Sequence, residues 1–86
     1  MSPHELTSLL QAAFPGSRVE VQDYTGTGDH FQAVVVSAEF VGLSRVQQHQ
    51  KVYAALQAYL DDGRIHALAL KTYTPEQWQQ SLVQLG

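Results

Sequence analysis

The stretch that decides the fold is residues 30–53, which read HFQAVVVSAEFVGLSRVQQHQKVY. Its first part, His30 to Ala38, contains the apolar run Val34-Val35-Val36, and a continuous run of this kind predicts a central strand covered on at least one face. A tight turn over Glu39 to Leu43 leads into a helix. A second apolar strand, RIHALALK, follows that helix. The segment therefore predicts a right-handed β-α-β unit whose two strands run parallel.

The predicted central helix has clear start and stop signals. Ser44 and Gln47 form a capping box at its start, and Asp61-Asp62-Gly63 closes it. Apolar and aromatic residues recur every three or four positions between these signals, which predicts one broad buried face. Its members are Val46, His49, Val52, Tyr53, Leu56, Tyr59 and Leu60.

The flanking segments carry equally local signals. Capping boxes at Ser2–Glu5 and Thr74–Gln77 predict a first and a last helix, each with Pro at its first position. The first helix has a stripe of Leu6, Leu9, Leu10 and Ala13 and ends at Phe14-Pro15-Gly16; the last has a stripe of Trp78, Leu82 and Leu85. Alternation of apolar and polar residues predicts a half-buried strand over Arg18–Tyr24 and the third strand over Arg64–Thr72. The loop Thr25–Asp29, which contains two glycines, is predicted to be a hairpin connection.

The predicted order is thus α-β-β-α-β-α, in a single domain over residues 1–86. Three strands and three helices in this order predict an α+β fold, with a three-stranded mixed sheet and helices on one face.

Composition limits the function classes. The 86 residues include no cysteine, so this chain alone can build neither a disulfide nor a thiolate metal site. Only five Lys and Arg are present at a net charge of −3, whereas nucleic-acid binders concentrate positive charge on one face. No apolar run approaches the roughly 20 residues of a membrane span. We predict a soluble, cytoplasmic protein with no membrane partner.

Four histidines raise the question of a metal site. A catalytic zinc site needs about three protein ligands, and no HExxH or similarly compact spacing is present. His4 and His49 are most simply a surface residue and a packed residue. His30 and His66 each stand at a predicted strand end, where the backbone is rigid and the side chain can reach solvent. They would supply half a site, open to a partner. Neither serine nor paired-carboxylate signatures indicate an active site, so we do not expect an enzyme.

Several motifs together carry a family resemblance. The chain shows an HF pair, a VVS-x-x-F-x-G turn, an RV-x-x-H-x-x-VY helix, an IHAL strand and a TYTP-x-x-W terminus, in that order. From about Val19 to Trp78 this pattern closely resembles the BolA family. The segments FVGLSRV and RIHALALKTYTP are similar to the IbaG-type branch of that family.

The resemblance implies a class II KH-like fold and partnership with a monothiol glutaredoxin. In such heterodimers a 2Fe–2S cluster is shared with the glutaredoxin cysteine and glutathione, and none is expected in the isolated chain. The family's ligand histidine in IHAL corresponds to His66. In several family members the second ligand is a His or Cys in the loop before HF. Here that loop reads TGTGD, with Thr27 near the expected place, so His30 is the nearest imidazole. The implied roles are in iron homeostasis and redox regulation.

The resemblance also implies an alternative, a small nucleic-acid-binding transcription regulator that uses the KH-like turn and the central helix. Gly42, Arg45 and Lys51 are the residues that would contact nucleic acid. KH domains use a GxxG loop, and this turn contains one glycine only. A homodimer stays open as a further arrangement.

Overall fold

The computed structural model describes residues 1–26 and 28–85, with the side chains of 84 and 85 left out. Its elements are α1 (Pro3–Ala13), β1 (Arg18–Asp23), β2 (His30–Val36), a short 3₁₀ helix (Ala38–Phe40), α2 (Arg45–Asp61), β3 (Ala67–Tyr73) and α3 (Pro75–Leu85). The predicted order α-β-β-α-β-α and the mixed three-stranded sheet are confirmed.

Strand β2 lies at the centre of the sheet. It pairs antiparallel with β1, as a hairpin requires, and parallel with β3, as the β-α-β unit predicts. The β2–β3 register runs from His30 opposite Ala67 to Val36 opposite Tyr73. The N-terminal ends of the two parallel strands therefore meet at one edge of the sheet.

One face of the sheet carries the core. Side chains at alternate positions of β2 are fully buried beneath α1 and α2. The core cluster consists of Leu6, Leu10, Phe14, Phe31, Ala33, Val35, Phe40, Val52, Leu56 and Ile65. Phe14, read from the sequence only as part of a helix stop, is a core residue, while Ala13 of the predicted stripe is exposed.

Helix α3 continues past the end of β3 and reaches the opposite face. The Trp78 ring lies 5.4 Å from the Tyr73 ring and the Arg18 guanidinium lies 5.4 Å from the Trp78 ring centroid. Arg18, Val36 and Tyr73 are register partners on the face that α1 and α2 leave open. The placement of helices on one face thus holds for α1 and α2, while Trp78 covers the end of the other face. Leu82 of the predicted stripe is 46% exposed, and the Leu85 side chain lies outside the described residues.

All three capping boxes are present. In each, the hydroxyl of the cap residue accepts the N–H of the third helical residue, whose side chain accepts the N–H of the cap residue. The pairs are Ser2–Glu5, Ser44–Gln47 and Thr74–Gln77. These pairs satisfy helix-end N–H groups that have no partner within the helix.

The third strand begins at Ala67 and not at Arg64. The backbone N–H of Arg64 donates to the Asp62 carboxylate at 3.0 Å, and that of Ile65 donates to the Tyr59 carbonyl at 3.0 Å. These bonds keep the chain wrapped around the end of α2, so it joins the sheet later than the alternation predicted. Strand β2 likewise ends at Val36 and not Ala38, because the Ser37 hydroxyl caps the 3₁₀ helix.

The buried face of α2 differs from the prediction at two positions. Val46 is 66% exposed, whereas Gln48 is 2% exposed. The Gln48 amide donates to the Leu43 carbonyl at 3.1 Å and accepts from the Thr72 hydroxyl at 2.8 Å. A glutamine whose amide group is hydrogen-bonded in this way can be buried in the core. The polarity of the residue type alone does not predict this burial. Across the described part of the chain, no helix is both long and apolar enough to cross a membrane.

Candidate metal-ligating site

The site lies at the edge of the sheet where β2 and β3 both begin. The Asp29 carbonyl accepts two backbone hydrogen bonds from the start of β3. The His66 N–H, just before the strand, donates at 2.8 Å, and the Ala67 N–H donates at 3.1 Å. His30, the next residue after Asp29, is paired in register with Ala67. This backbone arrangement fixes His30 and His66 side by side, as their placement at predicted strand ends had suggested.

The two imidazole rings are in contact. Their centroids lie 5.1 Å apart and their planes are tilted by 52°. A metal–imidazole bond is about 2.0–2.1 Å, and a ring centroid lies roughly 1 Å behind its nitrogen, so two imidazoles on one tetrahedral ion have centroids about 5 Å apart. The observed separation is therefore compatible with both rings binding one metal ion.

Asp29 also contacts His30 through its side chain. The carboxylate Oδ1 lies 2.7 Å from the ring Nδ1, with the two side chains 40% and 34% exposed. In the neutral imidazole this contact keeps the proton on Nδ1, because a carboxylate can only accept. The lone pair is then on Nε2, the arrangement that ligating histidines commonly have.

His30 and His66 are both accessible. His30 lies on the face opposite the buried Phe31, so it is not enclosed by the helices. His66 is exposed, and its ring nitrogens have no hydrogen-bond partner within the described chain. The sequence placed His66 near the start of a third strand that began at Arg64; the strand in fact begins at Ala67, and His66 directly precedes it, held by its N–H bond to the Asp29 carbonyl.

Asp23 orders the loop that leads to this edge. Its carboxylate accepts the backbone N–H groups of Gly28 at 2.7 Å, Gly26 at 2.9 Å and Thr25 at 3.3 Å. Desolvation acts to raise the pKa of Asp23, but these bonds, from Gly28 first, act to lower it, and the net pKa lies below its usual value. Thr27, close to where the family resemblance places a second ligand, lies outside the described residues.

The remaining histidines lie elsewhere. His4 is exposed in the first turn of α1, and the His49 ring is half-buried with its centroid 6.5 Å from that of Tyr53. Among the described residues there is no group of three or more His, Cys, Asp or Glu side chains that could hold a metal ion. The His30–His66 pair could therefore supply at most two ligands, and any others would have to come from outside the described residues.

The three residues predicted for nucleic-acid binding do not form a compact basic patch. Gly42 occupies the turn before α2 with φ +83°, a conformation that favours glycine. Arg45 is the first residue of α2. Lys51 lies two turns further on, where its Nζ is 3.8 Å from the Glu39 carboxylate, so part of its charge is already matched.

Comparison with known proteins identifies the family. A family model described as BolA, BolA-like protein, matches residues 10–77, which include both histidines of the site. The chain belongs to the BolA family. Acid stress protein IbaG of Escherichia coli K12 is a BolA-family relative that is 42% identical over 78 residues, covering 91% of this chain and 89% of that protein.

Two further BolA relatives extend the comparison. The structure of a BolA homologue from Coxiella burnetii superposes with a TM-score of 0.78 at 35% identity, covering 92% of this chain and 97% of the other. A Haemophilus influenzae protein named DNA-binding transcriptional regulator BolA is 46% identical over 54 residues, covering 63% of this chain and 52% of that protein. Both the family prediction and the fold prediction are confirmed.

Sequence reasoning missed two residues that shape the site. Asp29 directly precedes His30, and an acidic neighbour is a weak signal for an oriented imidazole. Asp23 precedes a loop with two glycines, and Asp at the start of such a loop commonly accepts backbone N–H groups. Either signal could have been read from the sequence.

Proposed function

We propose that this BolA-family protein is an adaptor that binds a monothiol glutaredoxin and ligates a shared 2Fe–2S cluster through His66 and His30. The observation that supports the proposal most directly is the contact of the two imidazoles, 5.1 Å apart, at an accessible edge of the sheet. The proposed role is in cluster trafficking or in iron and redox sensing.

The ligand types present in this chain fit a cluster that is held jointly by two proteins. The chain has no cysteine, so thiolate ligands must come from outside, here from the glutaredoxin and glutathione. Two histidines can complete the coordination sphere of one iron of the cluster, as they do in Rieske-type centres. Imidazole in place of thiolate makes the cluster less negative and raises its reduction potential.

The backbone around the pair favours a rigid half-site. Both histidines are tied to the Asp29 backbone, His30 as its neighbour and His66 through a hydrogen bond. A partner therefore meets ligands that need little reordering, and this lowers the entropic cost of association. The proposed activity is binding and ligation, with no reaction catalysed by this chain.

The test is a spectroscopic titration. The protein is mixed with a cluster-loaded monothiol glutaredoxin, and visible absorption and circular dichroism are recorded for wild type, His66→Ala, His30→Ala and His4→Ala. We expect a spectral change with wild type and His4→Ala that His66→Ala abolishes and His30→Ala alters. His4 is a matched control because it is an exposed histidine outside the pair.

The outcomes separate the parts of the proposal. An unchanged spectrum in His66→Ala relative to wild type would exclude His66 as a ligand, and the same result in His30→Ala would exclude His30. No spectral change with wild type would argue against cluster sharing altogether. Size-exclusion chromatography of each mixture then shows whether the heterodimer forms without it.

The alternative, a nucleic-acid-binding regulator, is supported by the name of the Haemophilus influenzae relative. It predicts salt-dependent binding of DNA or RNA that Arg45→Ala weakens, with Gly42 and Lys51 at the contact surface. Fluorescence anisotropy at low ionic strength tests it, because phosphate contacts are screened least there. Absence of binding under those conditions would exclude this function.

A further inference from the structure

Strand β3 is the last strand of the sheet, and no strand pairs with its outer side. Within a parallel pair, alternate residues of a strand direct both N–H and C=O toward the neighbouring strand. Two bonds identify these residues in β3. The Ala67 N–H donates to the Asp29 carbonyl at 3.1 Å, and the Tyr73 carbonyl accepts from the Ser37 N–H at 3.0 Å. The odd-numbered residues of β3 therefore pair with β2, and the even-numbered ones direct their backbone groups outward.

The outward backbone groups of Leu70 and Thr72 are unpaired. The carbonyl of the preceding outward residue, Leu68, accepts the Tyr53 hydroxyl at 3.5 Å, so α2 covers the strand there. Neither the N–H nor the C=O of Leu70 or Thr72 has a hydrogen-bond partner among the described residues. Thr72 is only 5% exposed, so water satisfies its backbone poorly. Buried backbone groups without a partner are rare in folded proteins, and a ligand that supplies the missing hydrogen bonds gains affinity from them.

Open space lies beside these two residues. A cavity of about 210 Å³ is lined by Leu70 and Thr72 on one side, and by Arg45 and His49 of α2 on the other. A second cavity of about 590 Å³ continues from Thr72 toward α3. The unpaired backbone groups therefore border a groove between the strand and the helices.

The charges around this groove are positive on both faces of the sheet. Lys71 is exposed on the open face, in register with Val34, whereas Arg45 belongs to α2 on the covered face. Neither cation has a carboxylate within 4 Å among the described residues, and no described Asp or Glu lines either cavity. Successive side chains of an added strand point to opposite faces. Two adjacent acidic residues in such a strand would therefore face one cation each.

We propose that the outer side of β3, at Leu70 and Thr72, binds an extended acidic segment of a partner protein, which joins the sheet as a fourth strand. Main-chain hydrogen bonds supply affinity in this mode of recognition, and alternate side chains supply specificity. The backbone groups repeat at every second residue, which is the spacing of an extended peptide.

The charge of β3 disfavours a second copy of this chain as the occupant. In the symmetric antiparallel pairing centred on Leu70, the two Lys71 side chains would stand at diagonal positions on the same face. Like charges on neighbouring strands repel, and a lysine on an outer strand is a common device against pairing of identical strands. An acidic segment meets attraction at the same position.

This surface is separate from the histidine pair. It uses the later half of β3, whereas His66 precedes the first residue of that strand. The proposal rests on unpaired backbone groups and does not depend on binding of a glutaredoxin or a cluster.

The test uses the full chain labelled with nitrogen-15 and a six-residue peptide, acetyl-Thr-Val-Glu-Glu-Val-Thr-amide, at constant ionic strength. We expect saturable shifts centred on the amide signals of Leu70 and Thr72. Two control peptides separate backbone pairing from charge. Gln in place of both Glu should weaken binding about three- to tenfold, whereas N-methylation of both Glu keeps the charge, removes two donors and should weaken binding by about tenfold or more.

Variants of the protein test the same surface. Leu70→Pro removes an outward N–H without removing a bond to β2, and it should abolish peptide binding. Leu70→Ala is the matched control, because it also loses the half-buried side chain but keeps the N–H, and it should bind as wild type does. Lys71→Gln should weaken binding about two- to fivefold, and Arg64→Gln, whose guanidinium contacts Asp62, should not. Well-dispersed spectra report folding; if Leu70→Pro does not fold, the N-methylated peptide and Lys71→Gln still test the proposal.

Three outcomes would overturn the proposal. The first is an N-methylated peptide that binds as tightly as its parent, since the contact would then not be strand pairing. The second is shifts that do not saturate or that leave Leu70 and Thr72 unaffected. The third is a dimer mass in light scattering, with concentration-dependent shifts at these residues in the absence of peptide, which would make a second copy the occupant.

Discussion

At the scale of single residues, Asp29 connects the two histidines in two different ways. Its carbonyl holds the His66 backbone at 2.8 Å, and its carboxylate contacts the His30 ring at 2.7 Å. The first contact depends on the backbone and survives substitution, whereas the second belongs to the side chain. A substitution of Asp29 therefore tests the orientation of His30 separately from the position of His66.

We predict that Asp29→Ala weakens retention of the cluster in the heterodimer by about tenfold. Removing the carboxylate partner of a ligating histidine typically costs about 10- to 100-fold, and we expect the lower value because the site is exposed. Asp29→Asn, which keeps an acceptor without the charge, should fall between wild type and Asp29→Ala. The measurement is the rate at which an iron chelator bleaches the cluster absorbance. Glu76→Gln, an exposed carboxylate on α3, is the control; equal rates in all four proteins would contradict an orienting role for Asp29.

Asp23 makes loop stability depend on pH. Its pKa in the folded protein lies below the usual value, because backbone N–H donors outweigh the opposing effect of desolvation. The stabilisation is therefore fully present above the unfolded-state pKa, about 3.9, and is lost as the pH falls through the lower folded-state pKa. At neutral pH the carboxylate holds the loop that leads to Asp29 and His30.

Asp23→Asn should accordingly be less stable than wild type at neutral pH, and the difference should shrink below about pH 4, where wild type also loses its charge. Urea denaturation at a series of pH values measures this difference. Glu20→Gln on the same strand serves as the control for simple charge removal. A difference between wild type and Asp23→Asn that stays constant from pH 7 to pH 3 would show that the charge of Asp23 is not what stabilises the loop.

At the scale of the elements, the helix starts and the starts of β1 and β2 were predictable from the sequence, whereas the end of β2 and the start of β3 were not. A capping box involves residues three positions apart, so Ser44 and Gln47 contain all the information needed. The start of β3 depends on Asp29, far away in the chain, whose carbonyl accepts from His66 and Ala67. Long-range hydrogen bonds of this kind leave no local pattern.

The candidate site shows the same division. Strand ends marked His30 and His66 as accessible, but their contact follows from the β2–β3 register. The ligand roles themselves came from resemblance to the BolA family. The buried side of α2 was misjudged at Gln48, because its partners lie in a turn and on another strand.

Gln48 gives the prediction at this scale. Gln48→Ala should destabilise the protein by about 1–3 kcal/mol, because the buried Thr72 hydroxyl loses its acceptor and the Leu43 carbonyl its donor. Chemical denaturation measures the change, with the exposed Gln50→Ala on the same helix as the control, expected within about 0.5 kcal/mol of wild type. The double variant Gln48→Leu with Thr72→Val should lose less than the sum of its single variants, since it removes both partners together. Additive losses would contradict the coupling.

At the scale of the whole molecule, the parallel pairing of β2 and β3 gives the sheet two different edges. One edge carries the N-terminal ends of both strands and the histidine pair. The other carries their C-terminal ends, with Trp78 packed on Tyr73. Lys71 stands five positions after His66, which is about 15–17 Å along an extended chain. This distance exceeds the screening length of about 8 Å at physiological ionic strength.

The two edges should therefore act independently. We predict that Lys71→Gln leaves the cluster spectrum of the glutaredoxin mixture unchanged. The changes in unfolding free energy caused by Lys71→Gln and His66→Ala should add within about 0.5 kcal/mol in the double variant, because the two residues share no partner and stand well apart. Spectroscopic titration and urea denaturation of the four proteins provide the two readouts. A cluster spectrum that changes in Lys71→Gln, or changes in unfolding free energy that do not add, would show instead that β3 couples its two ends.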